Sequence, residues 1–310
     1  MKPFLSNSPA ATFASNENLM SSVATRPTPI QNAPGAAPVP NATMYVRAFA
    51  GLLLRDLYVL RRELFPFAIR ICMNPLLFLF VFTYVMPHMT GGAGTNPMAR
   101  GVAGVSFSTV LLPGLMAVAI MFSGIAAVAL PLAQEFGITR EIDDRVMCPL
   151  PVAWVAIEKV CFSAMQSMIA AAIVVPLAYY VPSTHPAAQV TSWPFLFIVL
   201  VLASLVAGAL GLTIGTSVRP QQIGLIFGVV VVPITFLGCV YYPWAALGPI
   251  KWLQLGVLFN PIVYMSEGLR AALTPSLAHM PEAAIVAMLC VFLALLTWVG
   301  IKGFLRRVIG

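Results

Sequence analysis

From Trp193 to Val218 the chain contains no Asp, Glu, Lys or Arg, and a charge-free run of that length can fold in few ways. A helix needs roughly 20 mostly apolar residues to cross the hydrocarbon core of a bilayer. Six segments reach or approach that length: about 66–86, 106–133, 153–181, 193–218, 222–242 and 282–301. The chain is 60% apolar and 9% charged, whereas a soluble domain carries about a quarter charged residues. A soluble fold of this size has too little interior to hide so much apolar surface. These features predict an all-α integral membrane protein with six transmembrane helices. Pro113, Pro131, Pro176 and Pro233 fall within or near the ends of these spans, where neighbouring helices can satisfy the freed backbone groups.

Charge placement predicts the orientation. The net charge of +7 is not a basic stripe on a soluble surface, so no nucleic-acid partner is expected. With both termini in the cytoplasm, the inner side receives Lys2, Arg26, Arg47, Arg55, Arg61, Arg62 and Arg70. It also receives Arg140, Arg145, Lys159, Arg219, Lys302, Arg306 and Arg307, fourteen in all, against Arg100, Lys251 and Arg270 outside. Basic residues accumulate on the cytoplasmic side of short loops. The chain therefore reads as a multi-pass protein of the cytoplasmic (inner) membrane, with the lipid bilayer as a partner and His88, His185 and His279 in outer loops.

Residues 1–42 are rich in Pro, Ala, Ser, Asn and Thr and bury too little surface to offset their ordering entropy. They read as a disordered cytoplasmic tail without the apolar core of a secretory signal peptide. Residues 43–64 change character: Val46, Phe49, Leu53, Leu57, Leu60 and Leu64 share one helical stripe, with Arg47, Arg55, Arg61 and Arg62 roughly opposite. Such a basic amphipathic helix lies in the head-group plane. Residues 65–310 form the transmembrane domain. Within it, 243–280 are too proline-broken to span and too apolar for a free loop, which predicts re-entrant or interfacial helices. Asn260-Pro261 opens a short helix there, over Ile262 to Leu273, with Glu267 and Arg270 at i,i+3. Gly211 and Gly215, extended upstream by Ala207, and separately Gly224 and Gly228, form GxxxG pairs suited to helix packing, within the chain rather than between subunits.

Catalytic chemistry is sparse. There is no GxxxxGK[ST] phosphate loop and no HExxH helix. The five cysteines are scattered without CxxC spacing and read as small buried hydrophobes. Neither a metal site nor a cofactor site is expected. The densest charge cluster is the inner segment 134–151, QEFGITREIDDRVMCPLP, with Glu135, Arg140, Glu141, Asp143, Asp144 and Arg145. Gly137 and the Pro149-Leu150-Pro151 break bracket a short helical pattern. A charged helix with apolar tips at Met147 and Leu150 suits docking to another protein.

The run from Glu135-Phe136-Gly137 to Cys148-Pro149-Leu150-Pro151 resembles the signature of ABC-2 type transporter permeases, as does Asn260-Pro261-Ile262-Val263-Tyr264 followed by Glu267 and Arg270. The resemblance covers roughly residues 45–308 and is nearest to the drug-resistance and nodulation-factor branch. It implies the non-catalytic permease half of an exporter of drugs, lipids, lipo-oligosaccharides or polysaccharides. Two permease copies, a homodimer, would pair with separate ATPase subunits that bind the ATP and magnesium. It further implies that 134–151 is the coupling segment, that 43–64 is the connecting helix, and that Asn260, Pro261, Glu267 and Arg270 belong to an outer gate.

Three other classes compete. An intramembrane lipid-modifying enzyme needs clustered polar groups at span ends, and a secondary transporter needs midplane charges or an inverted repeat. Neither pattern is present in the sequence, and a receptor or structural protein is not excluded by composition. The charge asymmetry makes a direct prediction. In a cysteine-free background, cysteines at Ser183 or Ser276 react with an impermeant thiol reagent in whole cells, whereas those at Ser22 or Thr139 react only after the membrane is opened. Labelling at Thr139 in intact cells overturns the orientation.

Overall fold

The computed structural model describes residues 42–85, 107–139, 150–181 and 188–309. The chain divides into Met1–Asn41, which lies outside the described residues, and a helical unit from Ala42 to Gly310. Among the described residues every regular element is helical: α1 (Ala42–Arg62), α2 (Leu64–Phe80), α3 (Phe107–Gln134), α4 (Val152–Tyr180) and α5 (Trp193–Ser217) come first. They are followed by α6 (Ile223–Phe236), α7 (Lys251–Gly256), α8 (Pro261–Leu273) and α9 (Glu282–Ile309).

Four helices are long and apolar enough to cross a membrane, within α3, α4, α5 and α9. A fifth candidate arises if α1 and α2, bent by 72° at their junction, count as one broken span. The predicted first span therefore corresponds to α2 with a π-turn over Val81–Val85, and the predicted fifth to the shorter α6, which itself contains a π-turn at Phe227–Val231. The last helix runs well past the predicted Ile301 because Lys302, Arg306 and Arg307 continue it as a polar end.

The order of burial sets the architecture. In the apolar window of α3, 72% of residues are buried, against 17% for α9. α3 is thus the central post and α9 an outer stave. α3 packs chiefly on α5 and α4, and α9 on α5. Small residues bring these backbones together. A Cβ on Gly211 would stand 2.9 Å from Ile125 Cα, and one on Gly215 3.1 Å from Ala129 Cα. Gly124 answers from α3, where an added Cβ would lie 2.5 Å from that of Ala207. The first glycine pair is therefore an intramolecular packing face, as expected, and hydroxyls fasten it. Ser163 donates to the Gly124 carbonyl at 2.9 Å, and Thr213 to the Leu296 carbonyl of α9 at 3.0 Å. The second pair differs: neither Gly224 nor Gly228 has a heavy-atom neighbour within 4 Å of an added Cβ.

α8 is buried along its whole length, held among α3, α5 and α9. Asn260 caps it by accepting from the Ile262 amide at 3.1 Å, and Pro261 fills the first turn. On α1, Phe49, Leu53 and Leu57 are half-buried and Leu60 is buried, but Val46 is 67% exposed, and Leu64, 40% exposed, falls beyond the bend and begins α2. The inward stripe is thus shorter at both ends than its periodicity suggested. Phe49 meets Trp154 of α4 edge-on, with centroids 6.2 Å apart.

Gly114 of α3 faces the turn after α6 so closely that a Cβ would lie 1.9 Å from the Val240 carbonyl oxygen. Gly114→Ala therefore forces backbone apart and lowers the thermal midpoint in detergent, by an amount at or above the roughly 1–3 kcal/mol of ordinary overpacking. Gly51→Ala on α1, where an added Cβ meets nothing within 4 Å, leaves the midpoint no lower, since alanine favours the helix.

Candidate functional site

Two polar assemblies stand at opposite ends of the helical core. The first centres on α8. Glu267 and Arg270 lie one turn apart on its face and form an ion pair with both side chains fully buried. Such a pair is stable only if its remaining valences are met, and here the backbone of other segments meets most of them. The Glu267 carboxylate accepts from the Trp244 amide at 2.9 Å and from the Met280 amide at 3.2 Å. Arg270 donates through Nη2 to the Cys239 carbonyl at 3.1 Å. Cys239 takes a left-handed backbone conformation, φ 51°, which is uncommon for a residue with a side chain and aims that carbonyl at the guanidinium.

Neighbouring bonds extend the assembly. Ser266 donates to the Gly238 carbonyl at 2.8 Å, Asn260 Nδ2 to the Ile234 carbonyl at 2.6 Å, and Tyr264 to the Leu258 carbonyl at 3.1 Å. Of the four residues singled out in this region, Asn260 and Pro261 start α8, and Asn260, Glu267 and Arg270 bond to other segments. Their bonds tie α8 to the end of α6 and the turn that follows it, to the start of the segment at Trp244 and to Met280 before α9, while Tyr264 ties it to the turn after α7.

The second assembly lies where α3 ends. A π-turn, Glu135–Thr139, continues α3. Glu135 turns inward and accepts from Lys159 of α4 at 2.8 Å, both side chains being about 95% buried. Phe136 packs on Phe304 of α9, with centroids 6.0 Å apart, and lies under the Arg307 guanidinium at 4.8 Å. Arg307 also donates to the Gly215 and Val218 carbonyls at 3.0 and 2.9 Å, closing the exposed end of α5 as a basic side chain can. Gly137 is exposed, and Pro151 begins α4 by accepting from the Trp154 amide at 2.8 Å. Arg140, Glu141, Asp143, Asp144, Arg145 and Pro149 lie outside the described residues. Arg47, Arg55, Arg61 and Arg62 are all exposed along α1. Among the described residues no cluster of His, Cys, Asp or Glu could hold a metal ion.

Sequence reasoning missed Lys159 and Arg307 as site residues, having counted them for orientation alone. A Glu158-Lys159 pair two turns inside a mostly apolar helix was the available signal for the first. An arginine in a last turn was the signal for the second.

A helical, membrane-embedded protein with polar assemblies at both ends of its core is the class these features define. Residues 48–274 match the ABC-2 type transporter family, and the chain belongs to it. Inner membrane transport permease YadH of Escherichia coli K12 is 30% identical over 171 residues, covering 54% of this chain and 63% of that protein. The YadH proteins of Escherichia coli O157:H7 and Shigella flexneri match to the same extent. The chain thus spans 63% of the length of these curated relatives.

Removing one member of the Glu267–Arg270 pair leaves a buried charge without its partner, at about 3–5 kcal/mol. Glu267→Gln and Arg270→Met each reduce the yield of folded protein and its thermal midpoint sharply. The double variant recovers most of the loss, because neither charge remains. A double variant as unstable as the worse single one shows that the pair is not the organising contact.

Proposed function

We propose that the chain is the non-catalytic permease subunit of an ATP-driven exporter, carrying a hydrophobic or amphipathic substrate across the cytoplasmic membrane. Membership of the ABC-2 type transporter family supports the class. The arrangement at the end of α3 carries the coupling reading. Glu135 is locked to α4 through Lys159, and Phe136 to α9 and the end of α5 through Arg307. A push on the segment that begins at Glu135 is therefore delivered to four helices at once. In this reading 134–151 docks on a separate ATPase subunit, which binds the ATP and magnesium, and closure of the ATPase shifts the permease between inward- and outward-open states. Coupling of this kind requires contacts that differ between the states.

Two copies of the chain form the pathway. The unfilled glycine pair on α6, with Leu225 67% exposed and Val229 63% exposed beside it, suits a second copy. α2, α3, α4, α5, α6 and α9 make six crossings with both termini inside, and α1 is the connecting helix, set at 72° to α2 with its arginines at the anionic inner surface. α7 and α8 form the outer re-entrant gate, with Glu267 and Arg270 as its fixed point.

Reversing Glu141, Asp143 and Asp144 to Lys tests the docking segment, since docked charges that lose their partner cost about 2–5 kcal/mol. The mutant inserts normally but releases the ATPase on co-purification, or its ATPase activity in reconstituted membranes no longer responds to a candidate substrate. Full retention with substrate-stimulated turnover removes 134–151 as the coupling element. A wild-type chain that purifies with no ATPase removes the exporter reading.

A further inference from the structure

A cavity of about 500 Å³ opens where α1, α2, α3 and α4 meet, on the side of the core that carries the Glu135 assembly. That size is typical of small-molecule sites. Its rim is charged and its floor is not. Arg55, Asp56, Glu63 and Arg70 line the rim from α1, its junction with α2, and α2 itself. Phe67, Phe162, Ala126 and Ala127 line the floor, the two alanines of α3 leaving the space that larger side chains would fill. Lys159 and Gln166 of α4 form a polar back wall, both buried. Lys159 is held by Glu135.

The rim carries both signs. Arg55 and Asp56 are already paired at 3.5 Å. Glu63 and Arg70 have no ion-pair or hydrogen-bond partner for their side chains among the described residues. They stand two helical turns apart, about 10 Å along the axis, on the same face as Pro66 and Phe67. An acidic and a basic group on one rim, over an apolar floor, match a ligand that carries both charges and an apolar tail.

We propose that this cavity binds a zwitterionic phospholipid whose head group carries an ammonium and a phosphate. The phosphate meets Arg70 and the free side of Arg55, the ammonium meets Glu63, and the first acyl carbons lie on Phe67, Phe162 and the alanine floor. The lipid wedges between the α1–α2 bend and the α3–α4 pair, beside the Glu135–Lys159 bridge. The inference rests on the orientation given above, which puts the cavity in the inner leaflet.

The test uses the full chain, purified in detergent and stripped of loosely held lipid, with bound lipid counted by native mass spectrometry. Phosphatidylethanolamine and phosphatidylglycerol are added back in parallel, and soluble glycerophosphoethanolamine is used as a competitor. The wild type retains one phosphatidylethanolamine per chain in preference to phosphatidylglycerol, and the soluble head group does not displace it. Glu63→Gln with Arg70→Gln lowers retention about tenfold, the equivalent of one charge-assisted hydrogen bond, whereas Glu63→Asp with Arg70→Lys restores it. Ala127→Leu fills the floor without touching a charge and also expels the lipid, which decides the matter if the charge variant does not fold. Equal retention in wild type and variants, preference for phosphatidylglycerol, or displacement by the soluble head group each overturns the proposal. ATPase co-purification is scored separately on the same preparations. A chain that holds the lipid but no ATPase loses the exporter reading and keeps this site, and the converse result does the reverse.

Discussion

An amide or carbonyl with no partner costs several kcal/mol in hydrocarbon, and that cost governs the least regular part of this protein. Between α6 and α8 the chain abandons regular helix through a left-handed turn at Cys239 and short pieces around Trp244 and Val257. Such backbone is tolerated in a buried setting only where its amides and carbonyls are bonded. The Glu267–Arg270 pair and its neighbours supply that. They bond the Cys239 carbonyl and the Trp244 and Met280 amides, while Ser266 and Asn260 take the Gly238 and Ile234 carbonyls. α8 is therefore a template on which the surrounding segments are laid, and its complete burial follows from that role.

The remainder is a bundle built on close approach. Hydrophobic burial does not by itself drive helix against helix in lipid, so van der Waals contact and interhelical hydrogen bonds must do so. Gly124, Gly211 and Gly215 let α3 and α5 touch backbone to side chain, and Ser163 and Thr213 add hydroxyl bonds across the helix pairs. Because α3 is shared by this contact, by α8 and by the turn that carries Glu135 and Phe136, it links the two polar assemblies mechanically. A central helix that is close-packed along its length moves as a unit rather than bending locally. That rigidity suits the proposed transmission of movement from one assembly to the other.

Much of this is legible in the chain itself. The ends of α3, α4 and α5 fall within a residue of the apolar runs that predict them, since span length is fixed by bilayer thickness. The α8 start at Asn260-Pro261 is equally plain, because cap and first-turn chemistry are local. The less legible parts depend on long-range contact. Periodicity assigns Val46 and Leu64 to the inward stripe of α1, yet both are exposed, because what a stripe meets depends on where α4 lies and because the chain bends before Leu64 can continue α1. The fifth apolar run yields only the short α6, since its later residues are drawn into the turn that serves Arg270.

The sequence by itself determined the solvent, the helical class, the main spans and the family, because hydropathy, span length and short motifs are properties of contiguous residues. Only the tertiary structure decided what the sparse charges do. Glu135 stands in a docking-like run but is spent inside on Lys159. Arg307, apparently an ordinary positive terminus, closes α5 and covers Phe136. Two similar glycine pairs diverge as well, one packed on α3 and the other open. In each case the physical reason is the same. A buried charge or a bare backbone surface takes its meaning from the partner opposite it, and that partner comes from a distant part of the chain.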